Sequence, residues 1–152
     1  METFVRLAST LDIAELARLE DEHRAGFGSH ERGGSEWLRD HARLGIDGWA
    51  HRLGEQRSAT VVAGVDVSVL GFATLCLLPG SAVAAVEAVY VTAGARSVGL
   101  GELLLGEALA AAKRLGATSI EAQALPGDRE TKNLFERQGL VARLITVSRE
   151  LS

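Results

Sequence analysis

Residues 84–92 form a valine-rich apolar run, followed by Arg96-Ser97-Val98-Gly99-Leu100-Gly101 and then a long helical pattern. No other feature restricts the fold of this chain as much, because a strand feeding a glycine turn and a helix belongs to layered α/β architecture. From Gly99 to Leu115 the residues Leu100, Leu103, Leu104, Ala108, Ala111, Ala112 and Leu115 share one face, with Glu102, Gly106, Lys113 and Arg114 elsewhere. That spacing predicts an amphipathic helix stopped by Gly116. The first N–H groups of such a helix are unpaired and carry partial positive charge, and glycines let an anion approach them. The segment therefore reads as a phosphate site.

The rest of the chain supplies more strands and helices. Phe4 to Ala8 reads as a first strand, and Ser9-Thr10-Leu11-Asp12 as a capping box for a helix running to about His23. Gly26 to Gly34 reads as a mobile loop, with Ser35 and Asp47 as caps of two short helices. Thr60 to Val65 and Val69 to Leu78 are strands around a turn at Asp66-Val67-Ser68. Ser119 to Ala124 is a short strand, Asp128 to Gln138 a helix closed by Gly139, and Val141 to Arg149 a last strand. An early hairpin with later strand–helix–strand crossovers predicts one α/β domain over residues 1–152, a mixed sheet with helices on both faces.

Composition narrows the function. The net charge of -4 argues against nucleic acid, which needs a concentrated basic surface. One cysteine, Cys76, allows neither an intrachain disulfide nor a cysteine zinc cluster. His23, His30, His41 and His51 lack metal-ligand spacing, so no metal is expected. With no signal peptide and no membrane-length apolar run, the expectation is a cytoplasmic protein without a membrane partner. The excess of arginine over lysine suggests a bacterial coding bias.

Among phosphate motifs, the dinucleotide fingerprint fails at Leu104, and Gly-Lys-Ser/Thr is absent. A nucleotide-binding Rossmann-like protein is therefore disfavoured. The pattern Arg-x-x-Gly-x-Gly after a valine-rich strand resembles the coenzyme A pyrophosphate loop of the GNAT (Gcn5-related N-acetyltransferase) family. Residues 49–53, 59–65 and Leu70-Gly71-Phe72-Ala73 look like that family's helix, second strand and third strand. Asp128 to Leu140 is similar to its Asn-x-x-Ala-x-x-Leu-Tyr-x-x-x-Gly-Phe helix.

The resemblance implies a mostly antiparallel sheet of six or seven strands that splays at a bulge in the fourth. The pantetheine arm of acetyl-CoA, the acyl donor, would lie in the gap. The implied binding set is Val89, Tyr90, Val91, Arg96, Ser97, Val98, Gly99, Leu100, Gly101, Glu102, Asp128 and Phe135. Val91 would offer its N–H to the thioester carbonyl, and residues 96–101 would line the pyrophosphate, mostly through main-chain amides. Direct attack by a primary amine, on a small molecule or a protein, would give an N-acetyltransferase.

Strand alternation places Glu87 on one face with Val89 and Val91, which makes it the candidate base, directly or through water. The other reading is an ion pair with a neighbouring arginine. Tyr90 should then point the opposite way, into the core. The family's tyrosine aligns with Phe135, which has no proton to give, and its asparagine with Asp128, which accepts but does not donate when ionised. Thr131, a water or no acid at all would then serve the leaving thiolate. The missing tyrosine motivates an alternative, a non-catalytic acyl-CoA-sensing module. In GNAT folds the loop at residues 26–34 lies on the acceptor side, where a histidine could face the acceptor. Trp37 and Trp49 would line that pocket or pack the core, and Glu20-Asp21-Glu22 would attract a cationic amine or form a solvated helix end. Cys76 reads as a buried filler. The stretch after Leu140 has room for one strand where many relatives end in two, so the acceptor pocket would be open or completed by a second subunit in a homodimer.

Overall fold

The computed structural model describes residues 1–30 and 32–151, so position 31 of the expected loop and the terminal Ser152 lie outside the described residues. Ten elements follow in order: β1 (Thr3–Leu7), α1 (Ile13–Phe27), α2 (Gly34–Asp40), α3 (Gly45–Leu53), β2 (Ser58–Val65), β3 (Ser68–Leu77), β4 (Val83–Val91), α4 (Leu100–Arg114), β5 (Ser119–Ala122) and α5 (Arg129–Arg137). The strands form one sheet in the order β1-β2-β3-β4-β5. Its first four strands pair antiparallel, and β5 joins β4 in parallel after the α4 crossover.

Helices cover both faces, as the element pattern implied. Against α4 lie Val61, Ala63, Ala73, Leu75, Ala84, Val86 and Val91, which meet Leu100, Leu104, Ala108 and Ala112. The other face packs Val62, Val69 and Phe72 against Leu16 and Leu19 of α1 and Trp49 of α3. Trp49 is thus a core residue. The apolar stripe of α4 differs in one place from the sequence reading. Leu103 stands partly exposed, while Leu105 is fully buried against Leu134 and Phe135 of α5.

Several helix boundaries depend on contacts that local sequence does not reveal. The capping box at Ser9 and Asp12 is present: Ser9 Oγ accepts from Leu11 N at 3.3 Å, and Asp12 Oδ2 accepts from Ser9 N at 2.8 Å. Helix α1 continues past His23 to Phe27, which shortens the expected loop. Gly33, at φ 90°, occupies the cap position of α2, and Ser35 Oγ donates to Glu36 instead. The α3 start lies at Gly45 rather than at an Asp47 cap. Its first N–H groups are bound by Glu20, a buried carboxylate of α1.

Among the described residues the sheet has five strands, not six or seven. Residues 141–150 belong to no strand or helix, and Leu144 and Val147 are 90% and 89% exposed. A β-rich composition expresses a fit to a pleated, half-buried surface, and this segment meets no such surface. Among the described residues no helix is long and apolar enough to cross a membrane.

Candidate active site

The pairing between β4 and β5 is short. It joins Val83–Val86 to Ser119–Ala122, so β4 beyond Val86 has an edge without a strand partner on that side. A cleft of 460 Å³ opens along this edge. Its walls come from His23, Gly26 and Phe27 at the end of α1, from Val89, Tyr90 and Val91, from Gly99, Gly101 and Glu102 at the start of α4, and from Asp128, Thr131 and Leu134 near α5.

The ladder dictates which main-chain groups face the cleft. Thr92 N bonds Leu70 O at 2.9 Å, and Phe72↔Tyr90 is the next pair to exchange bonds in an antiparallel ladder. The pairs Gly71↔Val91 and Ala73↔Val89 are then the non-bonded ones, and the N–H and C=O of Val89 and Val91 turn to the open edge. Arg96 reaches this edge: its Nε donates to Val91 O at 3.0 Å, and its guanidinium lies 5.6 Å from the Tyr90 ring centre.

The glycine turn has the backbone an anion site needs. Residues Ala93–Val98 make a 3₁₀ turn, and Gly99 adopts φ 82°, ψ 14°, a conformation that favours glycine. The first α-helical bond runs from Leu103 N to Gly99 O, so the N–H groups of Leu100, Gly101 and Glu102 precede the ladder. A side chain at Gly99 would meet no atom within 4 Å, and a Cβ at Gly101 would stand 3.4 Å from Leu134. The cleft in front of Gly99, Gly101 and Glu102 is open. The side chains of Ser97, Val98 and Leu100 are not in the cleft wall; Leu100 is fully buried and Val98 packs against the core. Leu100, with no exposed surface, presents nothing to the cleft, which leaves Gly99, Gly101 and Glu102 as the turn residues that line it.

Glu87 departs from expectation. In the β3–β4 register Thr74 faces Ala88 while Leu75 faces Val86, which leaves Glu87 as an extra residue in a β-bulge. The bulge shifts the alternation by one. Val86, Val89 and Val91 therefore join the α4 side, whereas Glu87 turns to α3 and shares its face with Ala88 and Tyr90. Arg52 Nη2 donates to Glu87 Oε2 at 3.0 Å, and Cys76 Sγ donates to Oε1 at 2.8 Å. Glu87 is not in the cleft wall, and both its oxygens are engaged. The ion pair with an arginine is the arrangement present. Cys76 is half-buried, and burial with the Glu87 contact pushes its thiol up to about 11.

Tyr90 is not simple core. Its ring lines the cleft and its hydroxyl donates to Glu22 Oε1 at 2.7 Å, an acceptor shared with Thr92 Oγ1. Those two hydroxyls hold the Glu22 carboxyl below its usual range. The three acids of α1 have separate partners: Glu20 caps α3, Asp21 pairs with Arg43, and Glu22 anchors Tyr90. Asp128 lines the cleft but also caps α5, accepting from Thr131 N at 3.2 Å and from Thr131 Oγ1 at 2.8 Å. Phe135 is buried against Leu105 and Leu134 and stands outside the cleft wall, which corrects its place in the expected binding set.

The end of the cleft beside α1 is aromatic. His23 has ring centres of Phe27, Tyr90, Trp37 and Phe72 at 4.8, 4.9, 5.4 and 6.3 Å, and Trp37 is stacked between Phe27 and His41. Desolvation by burial, with Arg24 and Arg96 nearby, pushes the His23 pKa down to about 4 from 6.5. A group depressed in this way stabilises the fold fully above its unfolded pKa, and that contribution is lost as pH falls from about 6.5 to about 4. The melting temperature should therefore drop through this window, and His23→Phe should flatten the drop. An unchanged pH profile in the variant would remove His23 as its source. His23 and Phe27 were hidden as a pair because they share a helix face only if α1 continues to Phe27. Arg137 was also missed, since its ion pair with Glu102 at 2.8 Å joins residues of two helices.

The model of the Acetyltransferase (GNAT) family matches residues 14–140. No curated protein matches the sequence. Ribosomal-protein-alanine N-acetyltransferase from Brucella melitensis biovar Abortus 2308 superimposes at TM-score 0.70 and 18% identity, covering 99% of this chain and 100% of its own. An acetyltransferase from Trypanosoma brucei gives 0.68 at 17%, with 99% and 100% covered. An aminoglycoside acetyltransferase from an uncultured soil metagenomic sample, solved with sisomicin, gives 0.72 at 14%, with 99% and 95% covered. These likenesses share the fold, and the family pattern spans the cleft, the glycine turn and most of the sheet. The chain belongs to the Acetyltransferase (GNAT) family.

Proposed function

We propose that this protein transfers an acetyl group from acetyl-CoA to a primary amine by direct attack in a ternary complex. The observation that carries the reading is the meeting, in one cleft, of the open β4 edge and the helix-start amides of Gly101 and Glu102, which have no acceptor in the α4 ladder. The turn amides and Arg96 would hold the pyrophosphate, and the main-chain groups of Val89 and the N–H of Val91 would bind the pantetheine arm like an added strand. Acetyl-CoA supplies the thioester, whose carbonyl is the electrophile. The Val91 N–H would stabilise negative charge developing on the carbonyl oxygen, a contribution of about 3 kcal/mol for one such donor elsewhere. Holding the two reactants side by side supplies much of the remaining rate. Phe135 is buried and Thr131 is committed to Asp128, so the thiol would leave as thiolate without an acid from either.

Calorimetric titration with acetyl-CoA tests the reading, with NAD and ATP as controls. Micromolar binding is expected, and it should vanish in Gly101→Trp, whose side chain would fill the space before the amides. Gly99→Val should lose binding as well, with a backbone strain of about 1–2 kcal/mol at its positive φ. Circular dichroism checks that both variants keep the fold. If the wild-type protein binds neither acetyl-CoA nor coenzyme A, the transferase reading falls.

A further inference from the structure

We propose that His23 is the group that accepts the proton lost by the attacking amine. This rests on the transfer reaction above and supplies its base, a role Glu87 is badly placed to fill.

Position is the first argument. His23 lines the cleft, and its ring lies 4.9 Å from that of Tyr90, whose backbone sits between Val89 and Val91. An amine approaching an acyl group on this edge from the α1 side meets the imidazole. Availability is the second. Among the described residues Tyr90 and Thr92 are bonded to Glu22, Arg96 to Val91 O, Thr131 to Asp128, and Arg24 and His41 to main-chain carbonyls; His30 is the other cleft histidine without such a bond, and its ring lies beside Phe27 rather than beside Tyr90. His23 makes no such bond there, and no buried side-chain nitrogen lacks a partner, so its ring nitrogens reach the open cleft. Rigidity is the third. Four aromatic rings pack around the imidazole, three edge-on and one tilted, and fix its place.

Charge completes the case. Arg24 on its own helix, Arg96 from the turn before α4 and His41 beyond α2 disfavour a protonated ring, and Asp128 before α5 favours one. From β4, Tyr90 presents a hydroxyl that is already donated to Glu22. The ring is neutral at physiological pH, so a nitrogen lone pair is free to accept a proton; its burial makes it a weak base, which places the expected effect at the low end of the general-base range. In the reaction the amine nitrogen forms a bond to the thioester carbon, and the carbonyl electrons move to oxygen. One N–H proton passes to His23. The carbonyl then reforms, and the C–S bond breaks with its electron pair on sulfur. His23 afterwards returns the proton to water or to the departing thiolate.

The test measures thiol release from acetyl-CoA with 2-phenylethylamine, spermidine, an alanine-terminated peptide and water as acceptors. His23→Ala should bind acetyl-CoA within about twofold of the wild type yet release thiol about 100-fold more slowly, the low end of what a general base contributes. Millimolar imidazole should restore part of that loss, which a merely structural role would not allow. His23→Gln, which keeps the volume without the basicity, should be equally slow. Should either variant fail to fold, carbethoxylation of the wild type by diethyl pyrocarbonate replaces it. Thiol release should then fall in step with modification of His23, read by peptide mass. Full activity in His23→Gln, or after complete modification of His23, overturns the proposal and leaves the transferase reading standing. A wild-type protein that binds acetyl-CoA but releases thiol to none of the acceptors overturns both.

Discussion

Glu20→Ala is expected to lower the stability of the protein by about 3–5 kcal/mol, a large share of the 5–15 kcal/mol typical of a domain. Glu20 is only 7% exposed, and its carboxylate accepts three hydrogen bonds from another part of the fold. Leu44 N donates at 2.7 Å, Gly45 N at 3.0 Å and Trp49 Nε1 at 3.2 Å. Two of these are orphan donors at the start of α3, where the helix dipole also favours negative charge. Alanine would leave all three without an acceptor inside the protein, at about 1–3 kcal/mol for each group that water does not reach. Urea unfolding measures the loss as a lower midpoint with an unchanged slope. Glu20→Gln should cost less, because one oxygen remains to accept. Asp21→Ala is the control, since its pair with Arg43 is exposed and its removal should leave the midpoint where it was. A loss below about 1 kcal/mol in Glu20→Ala would mean that α3 is held by Trp49 packing alone.

Gly64→Ala is expected to cost about 4 kcal/mol or more, an exceptional value for one methyl group. Gly64 lies on β2, between β1 and β3, where the register with β3 shifts after Ala63. A Cβ at this position would fall 1.7 Å from Ser68 O and 2.9 Å from the Phe4 ring. The first obstacle is backbone, so no rotamer change relieves it, and a shift of β2 breaks pairing on one side or the other. The change should also loosen the Asp66 turn, where Glu2 N donates to Asp66 Oδ1 at 3.0 Å. Gly106→Ala offers the contrast. It sits inside α4 with no atom within 4 Å of its Cβ position, so the substitution should stabilise by about 0.5–1 kcal/mol through helix propensity. Thermal melts of the two variants against the wild type decide both, and a Gly64→Ala protein that melts like the wild type would place the strand register elsewhere.

What the sequence determined by itself was local. The strand–glycine turn–helix unit at residues 84–115, the capping box at Ser9 and Asp12 and the β2–β3 hairpin each rest on residues within a few positions of one another, and each is present. The family match over residues 14–140 spans the hairpin and the strand–turn–helix unit. What only the tertiary structure decided was every role that depends on a distant partner. Glu20 caps a helix that begins 25 residues later, and Glu22 serves hydroxyls on β4. Period-two alternation assigned Glu87 to the wrong face because a bulge is set by pairing with β3, not by the composition of β4. The segment after Leu140 reads as a strand, but a strand exists only where another offers it hydrogen bonds, and none is offered here among the described residues. His23 shows the same division: its place in the chain is ordinary, and four rings from two helices and two strands turn it into a neutral, accessible imidazole beside the cleft.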